Sequence, residues 1–247
     1  MAELVKIFIG WDSREDIAYQ VCKHSLEKHT SVPLDIQPIK QQEMRERNLY
    51  WREHDPLSST EFSFTRFLVP YLAGYSGWAV FMDCDFLWRG DIAALQDYMN
   101  PYYGALVVKH DYKPKEATKM DGAVQHQYPR KNWSSMILWN CGHPLLKVVN
   151  PEMVNRETGM YLHQLRFLWD ATIGELPIAY NYLEGWHTRE DCPNPQAVHF
   201  TRGGPWFKDW GNVEYAAEIR GRASHRRAES PAARLAGARQ DPRRDRP

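Results

Sequence analysis

The residues with the clearest chemical potential are two aspartates, Asp83 and Asp85, which directly follow the apolar run WAVFM. In an extended segment, residues two apart point to the same side, so both carboxylates can face one point. Two converging carboxylates beside a strand in a low-dielectric interior repel each other unless a cation joins them. Hard oxygen ligands suit Mg²⁺ or Mn²⁺, and either ion can bridge a diphosphate. The pair therefore predicts a divalent-cation site that acts on a diphosphate group.

An Asp-x-Asp pair after a strand also occurs in the aspartyl phosphatase signature, where Thr or Val follows two residues after the second aspartate. In this chain Leu87 occupies that position, and the pair lies about a third of the way along the chain instead of near its start. The metal–diphosphate interpretation is therefore favoured over a phosphatase.

The elements that would position the pair alternate between strands and helices. Amphipathic spacing over residues 14–29 predicts a helix with Ile17, Val21 and Leu26 on its buried side. The two prolines of residues 33–39 predict an edge strand. Such alternation favours a largely parallel sheet with helices on both faces, whose ligands bind at the carboxyl ends of the strands. Strands are predicted at 5–9, 77–82, 105–109 and 134–139, extended segments at 33–39 and 175–182, and helices at 14–29, 62–72, 92–98 and 160–173.

Composition and charge limit the classes of function. The 247 residues are 43% hydrophobic and 25% charged, which suffices for an α/β domain with a substantial core. Acidic and basic residues balance overall, but the segment from residue 220 onward contains nine arginines and only three acidic residues. The body is therefore acidic and lacks the basic face that nucleic-acid binding needs. We expect one domain over residues 1–219, no nucleic-acid partner, and a disordered basic Arg/Ala/Pro-rich tail over 220–247.

Cysteine spacing and hydropathy bear on the compartment. The four cysteines are widely separated and form no Cys-x-x-Cys pair, so we interpret them as free thiols of a reducing compartment. The first residues show no signal peptide. The uncharged stretch 67–82 contains a proline and two glycines and is too short to span a bilayer. We therefore expect a cytoplasmic protein without a transmembrane segment.

Four stretches spread over residues 5–207 together resemble a known family: KIFIGWDS, FTRFLVPYL, GWAVFMDCDFLWRGDI and HFTRGGPWF. They are similar to retaining glycosyltransferases of the GT-A fold, closest in pattern to the family of glycogenin and the bacterial lipopolysaccharide galactosyltransferases. The resemblance implies an α/β nucleotide-diphospho-sugar transferase fold with a mostly parallel, Rossmann-like central sheet. It also implies Mn²⁺ or Mg²⁺ as cofactor, with a nucleotide-sugar donor and a hydroxyl-bearing acceptor as partners.

The resemblance assigns roles to individual residues. It implies His199 as the third metal ligand beside Asp83 and Asp85, and a neutral imidazole suits Mn²⁺ beside carboxylates. Asp85 and Arg66 carry the implied catalytic role, the arginine facing the donor phosphates or the metal-site carboxylates. Glycine backbone N–H groups and an arginine can bind phosphate oxygens. Contacts to the donor nucleotide or diphosphate are expected from Gly10, Trp11, Asp12, Arg66, Cys84, Arg202, Gly203 and Gly204.

The departures from the family pattern fall where the sugar is recognised. Gly204 replaces the lysine before Pro-Trp, so Arg202 or Lys208 would have to supply that charge. The family's Asn-Ser-Gly strand reads Trp-Ser-Ser at 133–135, and its Asp-Gln-Asp element reads His-Gln-Leu at 163–165. Aromatic faces and carboxylates bind sugars, and possible acceptor or sugar contacts are Lys119, Asp121, Trp133, Glu184 and Trp186.

The first functional hypothesis is a metal-dependent hexosyltransferase that moves a hexose from a nucleoside diphosphate, UDP above all, to a hydroxyl group. Retention of the anomeric configuration follows from the family resemblance. A non-catalytic nucleotide-sugar- or glycan-binding protein on the same scaffold is the alternative, suggested by the altered recognition strand and the missing lysine. A nucleotidyltransferase would normally carry a Gly-rich loop with Lys or Arg after the first strand, where this chain has only Gly10 before WDSRED.

Overall fold

The structure is a computed structural model that describes residues 5–53, 55, 58–111, 129–207 and 210–219. The segment 112–128 and the tail 220–247 lie outside the described residues. The strands are β1 (Val5–Gly10), β2 (Leu34–Ile39), β3 (Trp78–Met82), β4 (Phe86–Trp88), β5 (Ala105–Val107), β6 (Met136–Asn140), β7 (Ile173–Glu175), β8 (Tyr182–Leu183) and β9 (Ala197–His199).

The helices are short apart from the first. The α-helices are α1 (Asp16–His29), α2 (Gln41–Glu46), α3 (Val69–Leu72), α4 (Pro151–Arg156) and α5 (Gly159–His163). 3-10 helices cover Ser13–Glu15, Thr65–Leu68, Ile92–Tyr98, Trp133–Ser135, Pro144–Val148, Asp170–Thr172 and Ile178–Tyr180.

A six-stranded sheet forms the centre of the domain, with the strand order β2-β1-β3-β6-β5-β7. The strand β6 runs antiparallel to both of its neighbours, and the other five strands run in one direction. The predicted mostly parallel α/β sheet is confirmed. The proline-containing strand β2 lies at an edge, as predicted, where a missing N–H donor costs no hydrogen bond of the sheet.

The carboxyl ends of the five parallel strands share one edge of the sheet, and Asp83 follows β3 at this edge. Because β6 is antiparallel, the residues that precede it reach the same edge. The backbone N–H of Asp83 donates to the carbonyl oxygen of Ser135 at 2.8 Å, which joins the two segments. Residues that follow the parallel strands and residues that precede β6 therefore lie at the same edge of the sheet.

A second, three-stranded sheet with the order β4-β9-β8 lies beyond the acidic pair. The strand β4 begins directly after Asp85, and β9 pairs with it antiparallel so that Phe86 lies opposite His199. This sheet was not predicted, because its strands contain only two or three residues. Its consequence is that His199 lies beside Asp85.

Three sequence-based helix predictions are wrong in part. In α1, Ile17 is 50% exposed, while Val21 and Leu26 are buried as predicted. The predicted helix 62–72 is a turn, a 3-10 helix and the four-residue α3, because Pro70 fits only the first turn of an α-helix. The predicted helix 160–173 ends with α5, since Leu165 has the left-handed backbone conformation with φ 53°.

The predicted extended segment 175–182 is also wrong in part, because a 3-10 helix interrupts it at Ile178–Tyr180. Its preceding residue, Pro177, has φ −56° and can start a helical turn. The predicted strand 134–139 starts later, because residues 134 and 135 belong to a 3-10 helix, and the predicted strand 105–109 ends at Val107; elsewhere the buried strands agree with the apolar runs. Among the described residues, no helix is long and apolar enough to cross a membrane, and all four cysteines are buried free thiols, as predicted.

Gly10 ends β1 where no side chain fits. A Cβ atom at this position would lie 2.4 Å from the ring of Phe62, which is 1% exposed and surrounded by the core. We predict that Gly10→Ala lowers the free energy of unfolding by about 1–3 kcal/mol, the cost of overpacking a core. Urea unfolding measures this change. Gly142→Ala is the matched control, because its nearest neighbour would be an ordinary 3.7 Å away; equal stability losses would contradict the packing argument.

Candidate metal and donor site

Asp83, Asp85 and His199 form a cluster that could hold a metal ion. One ligand atom from each residue lies within 4.8 Å of the others. Asp85 Oδ1 and His199 Nε2 are 3.3 Å apart. Asp83 and Asp85 are partly buried, whereas His199 is 2% exposed. The structure thus brings together all three residues that the sequence predicted as metal ligands.

The cluster lies in a cleft of about 530 Å³ at the carboxyl edge of the central sheet. Hydroxyl groups line one part of its wall, and three cationic side chains lie among the acidic ones. The hydroxyl-bearing residues are Ser58, Ser59, Thr60, Ser63, Ser134, Ser135 and Thr201. The cationic residues are Arg66, Lys131 and Arg202, and the acidic residues are Glu15, Asp55, Asp83 and Asp85. With a cation bound at the acidic pair, such a lining would suit an anionic ligand with many hydroxyl groups.

Arg66 is the cation that offsets the charge of the acidic pair. Its Nη1 donates to Asp83 Oδ1 at 2.7 Å and to the carbonyl oxygen of Ser134 at 2.9 Å. The guanidinium lies 5.2 Å from the ring centroids of Phe62 and Phe81, and the residue is 5% exposed. A bound positive charge lowers the repulsion between neighbouring carboxylates. Arg66 therefore faces the metal-site carboxylates, one of the two positions expected for it.

The donor set of the cluster fits a divalent cation. Divalent transition metals, including Mn²⁺, bind two carboxylates and one imidazole nitrogen as ligands. In octahedral coordination with ligands at about 2.0–2.1 Å, neighbouring ligand atoms lie roughly 3 Å apart. The 3.3 Å between Asp85 Oδ1 and His199 Nε2 is close to that spacing. These two atoms could therefore bind one ion together with Asp83.

The ring of His199 is held parallel to the ring of Phe86, with centroids 4.4 Å apart and an interplanar angle of 14°. The stacking follows from the register of β4 and β9, which places the two residues opposite each other. Phe86 is 1% exposed. The imidazole is thus fixed against a rigid surface with Nε2 directed toward Asp85.

Cys84 lies between the two aspartates and lines the cleft, as expected for a residue near the donor. Burial raises the pKa of its thiol, and the nearby negative charge of Asp85 raises it further. The cluster of possible metal ligands among the described residues consists of Asp83, Asp85 and His199 and does not include the Cys84 sulfur. Cys84 therefore contributes its backbone and shape to the cleft.

The segment around residue 203 contributes two of its three predicted donor residues to the cleft. Arg202 and Gly203 line the wall. Arg202 Nη2 also donates to Glu184 Oε2 at 3.2 Å. Packing favours glycine at position 204, because a Cβ atom there would lie 2.2 Å from the ring of Trp206.

Gly10, Trp11 and Asp12 are absent from the lining of the cleft, although a nucleoside contact was expected from them. Asp12 is fully buried, and its carboxylate accepts hydrogen bonds from the Arg14 side chain and from the backbone N–H groups of Arg14 and Glu61. Trp11 Nε1 donates to Asp16 at 2.9 Å. Gly10 packs against Phe62. The expected role of these residues in nucleoside binding stays a prediction.

The possible acceptor residues are dispersed. Lys119 and Asp121 lie outside the described residues. Glu184 is 4% exposed, and its two carboxylate oxygens accept hydrogen bonds from the Arg202 side chain and from the backbone N–H of Glu214. Trp133 donates from Nε1 to the carbonyl oxygen of His110, 3.1 Å away, and Trp186 follows the end of β8. Trp133, Glu184 and Trp186 are absent from the described lining of the cleft.

Sequence reasoning missed the cleft residues that precede β6. Lys131 lines the cleft and is 7% exposed, so it is a buried cation near the metal cluster. His163 and Ser134 also line it, and Ser134 Oγ lies 2.7 Å from His163 Nδ1. The acidic pair could be found because it directly follows an apolar strand. An antiparallel strand brings the residues before it to that edge, and the signal would have been the polar run KNWSS immediately before an apolar strand.

Comparison with known proteins identifies the family of the chain. It is 55% identical over 215 residues to Protein CDI of Arabidopsis thaliana, an alignment that covers 85% of this chain and 83% of that protein. The chain belongs to the CDI protein family. A search against protein-family models returned no match.

Solved structures with the same fold are glycosyltransferases. The bifunctional glycosyltransferase WbbM superposes with a TM-score of 0.65 at 14% identity, covering 97% of this chain and 52% of that chain. GlyE of Streptococcus pneumoniae has a TM-score of 0.55 at 16% identity, with coverage of 88% and 59%. The galactosyltransferase LgtC, solved with donor and acceptor sugar analogues, has a TM-score of 0.54 at 12% identity, with coverage of 88% and 95%. The CDI-family chain thus has the GT-A fold, as predicted, and spans about half of the WbbM chain.

Asp12 supports a prediction about acid stability. Burial alone would raise the pKa of its carboxyl group, but the hydrogen bonds from Arg14 and Glu61 outweigh burial and lower the pKa below its ordinary value. A lowered folded-state pKa contributes stability above the unfolded pKa of about 4, and this contribution is lost as the pH falls through the folded value. We expect Asp12→Asn to be less stable than the wild type near neutral pH and to approach it in acid.

Urea unfolding of both proteins across a pH series measures the difference. A stability difference that does not change with pH would contradict this assignment. The UDP affinity of the same variant tests the predicted nucleoside contact. If Asp12→Asn binds UDP as tightly as the wild type does, the charge of Asp12 does not contact the donor.

Arg66 supports a second prediction. Replacing it with methionine removes the ion pair with Asp83, which then lies beside Asp85 without that positive charge, so Arg66→Met should lower the free energy of unfolding by on the order of 3 kcal/mol. Arg156→Met is the control, because its ion pair with Glu152 is exposed on the surface of α4 and should be worth less than about 0.5 kcal/mol. Thermal or urea unfolding measures both. The double variant Arg66→Met/Asp83→Asn should recover part of the loss, and a purely additive result would refute the coupling.

Proposed function

We propose that this protein is a metal-dependent glycosyltransferase that moves a hexose from a nucleoside diphosphate sugar, UDP in the first place, to a hydroxyl acceptor. The observation that carries the proposal is the three-residue cluster of Asp83, Asp85 and His199 in a cleft of the GT-A fold. Ligands of open α/β sheets bind at this edge. The ligand types fit an ion that binds diphosphate oxygens, for which we propose Mn²⁺, or Mg²⁺ in its place.

We propose that the cationic side chains of the cleft bind the diphosphate of the donor. Lys131 takes the place of the lysine that the family pattern has before Pro-Trp, since it is buried in the same wall as the metal cluster. Arg202 adds a second charge, and the backbone N–H groups near Gly203 can approach phosphate oxygens. Arg66 acts through Asp83, whose orientation it fixes by the 2.7 Å hydrogen bond.

Bond breaking leaves negative charge on the departing nucleoside diphosphate. The bound divalent ion would neutralise this charge as a Lewis acid. The chain supplies the fixed ligands Asp83, Asp85 and His199 and the cations Lys131 and Arg202, which favour a charge that develops in the transition state. Retention of configuration is proposed from the family resemblance.

A second cavity of about 610 Å³, at the same edge of the sheet, supports an acceptor site beside the donor cleft. It follows β5 and β7 and is lined by Tyr98, Lys109, His110, Asp111, Glu175 and His187, among others. Carboxylates, aromatic rings and neutral imidazoles are groups that bind sugar hydroxyls. Burial lowers the pKa of His110, so its imidazole is neutral and able to accept a hydroxyl hydrogen bond. We also propose a cytoplasmic location, because all four thiols are free.

Asp85→Asn tests the metal-dependent reaction. We expect it to lower Mn²⁺-stimulated hydrolysis of the donor by on the order of 100-fold or more, since an amide replaces a charged metal ligand and several kcal/mol of charge stabilisation depend on the ion. The circular dichroism spectrum should stay that of the wild type. Asp97→Asn, an exposed carboxylate in a 3-10 helix away from the cleft, is the control and should retain activity.

Unchanged turnover in Asp85→Asn would refute the metal assignment. A screen of nucleotide sugars with and without Mn²⁺ by thermal shift identifies the donor, because a ligand of the native state raises the unfolding temperature. Metal-dependent UDP binding without hydrolysis or transfer would instead favour a non-catalytic nucleotide-sugar-binding protein.

A further inference from the structure

A chain of buried polar groups leads from His199 away from the metal position. His199 Nδ1 lies 3.0 Å from Asn181 Oδ1. Asn181 Nδ2 lies 2.9 Å from Ser135 Oγ, and Ser135 Oγ lies 2.7 Å from the carbonyl oxygen of Asn132. Asn181 is fully buried and Ser135 is 3% exposed, so water does not compete for these hydrogen bonds.

The direction of every hydrogen bond in this chain follows from its far end. The backbone carbonyl of Asn132 can only accept, so the hydroxyl of Ser135 must donate to it. The hydroxyl oxygen then accepts from the amide nitrogen of Asn181, and this orients the amide with Oδ1 toward His199. An amide oxygen can only accept, and the proton of the imidazole must therefore be on Nδ1.

We infer that Asn181 is a positioning residue that fixes the tautomer of His199, so that the unprotonated Nε2 faces the metal position between Asp83 and Asp85. The inference rests on the proposed metal-dependent function. It concerns residues on three separate segments: the 3-10 helix Trp133–Ser135 with its N-cap Asn132, the residue that precedes β8, and the end of β9.

The tautomer decides whether the imidazole can be a ligand. With the proton on Nδ1, the lone pair of Nε2 lies 3.3 Å from Asp85 Oδ1, and both atoms present electron pairs to a cation. With the proton on Nε2, the ring would donate to Asp85 and occupy one of its ligand atoms. Hydrogen-bonding partners of metal-binding histidines commonly change metal affinity by about 10–100-fold. Phe86 fixes the plane of the ring by stacking and cannot select a nitrogen atom.

Long-range ¹H–¹⁵N NMR of the metal-free protein at mildly alkaline pH tests the tautomer directly. We expect His199 to show a protonated Nδ1 and an unprotonated Nε2, with its signals assigned by their loss in His199→Gln. In Asn181→Leu, no acceptor faces Nδ1, and the proton should move to Nε2, where Asp85 accepts it. Asn181→Asp keeps an acceptor at this position and should keep the wild-type tautomer.

Mn²⁺ titration followed by electron paramagnetic resonance tests the consequence. The Mn²⁺ dissociation constant of Asn181→Leu should rise by about 10–100-fold relative to the wild type. Asn155→Leu is the matched control: Asn155 is 9% exposed and binds the backbone of Trp51 and Leu49 through its amide, outside the cleft. It should leave both the tautomer and the Mn²⁺ affinity unchanged, and thermal unfolding verifies that each variant is folded.

Wild-type protein with the proton on Nε2 would overturn the inference, and so would an Asn181→Leu variant with unchanged tautomer and Mn²⁺ affinity. If Asn181→Leu does not fold, the wild-type spectrum still decides. A wild-type protein with the proton on Nδ1 and no affinity for Mn²⁺ would refute the proposed function while supporting the tautomer assignment. The two failures are therefore distinguishable.

Discussion

The convergence of electron-pair donors on one point is the constraint on which the site depends. Two carboxylates and the nitrogen of His199 meet at the edge of a buried sheet, where the low dielectric constant strengthens their repulsion. Arg66 offsets one charge, and a cation at the centre would offset the others. Other features follow from this requirement: the cation among aromatic rings, the stacked imidazole, and the polar chain that directs its lone pair. Without positive charge, this arrangement of side chains would be unfavourable.

Part of the fold could be predicted because local sequence determined it. The apolar run before Asp83 is a strand, the prolines around residue 38 mark an edge, and the first helix has the predicted end. Helices were predicted less well, because Pro70 and the left-handed Leu165 limit their length more strongly than apolar spacing indicates. The strands β4, β8 and β9 are too short to produce a periodic pattern, so pairing between distant segments was beyond reach.

The site, like the fold, could be predicted only where local sequence determines it. Residues after a strand could be found from the sequence, and the metal cluster was found with the help of the family resemblance. Lys131 and Asn181 were missed, because their places depend on an antiparallel strand and on the turn before a two-residue strand. The glycines show a further reason for a residue type. Gly10 and Gly204, which were expected to approach a nucleotide or phosphate, each lie against an aromatic ring that leaves no space for a methyl group. A glycine in a binding motif can be required by packing alone.

The pairing of β4 with β9 joins residues more than a hundred positions apart. Closing such a large loop has an entropic cost that local contacts do not have, so contacts of this kind usually form late in folding. The acidic pair, by contrast, lies within one short segment of the chain. A partly folded chain can therefore contain both aspartates at the end of their strand but lacks the imidazole beside them. Completion of the proposed ligand set coincides with closure of the whole domain, so all three groups come together only in molecules that have finished folding.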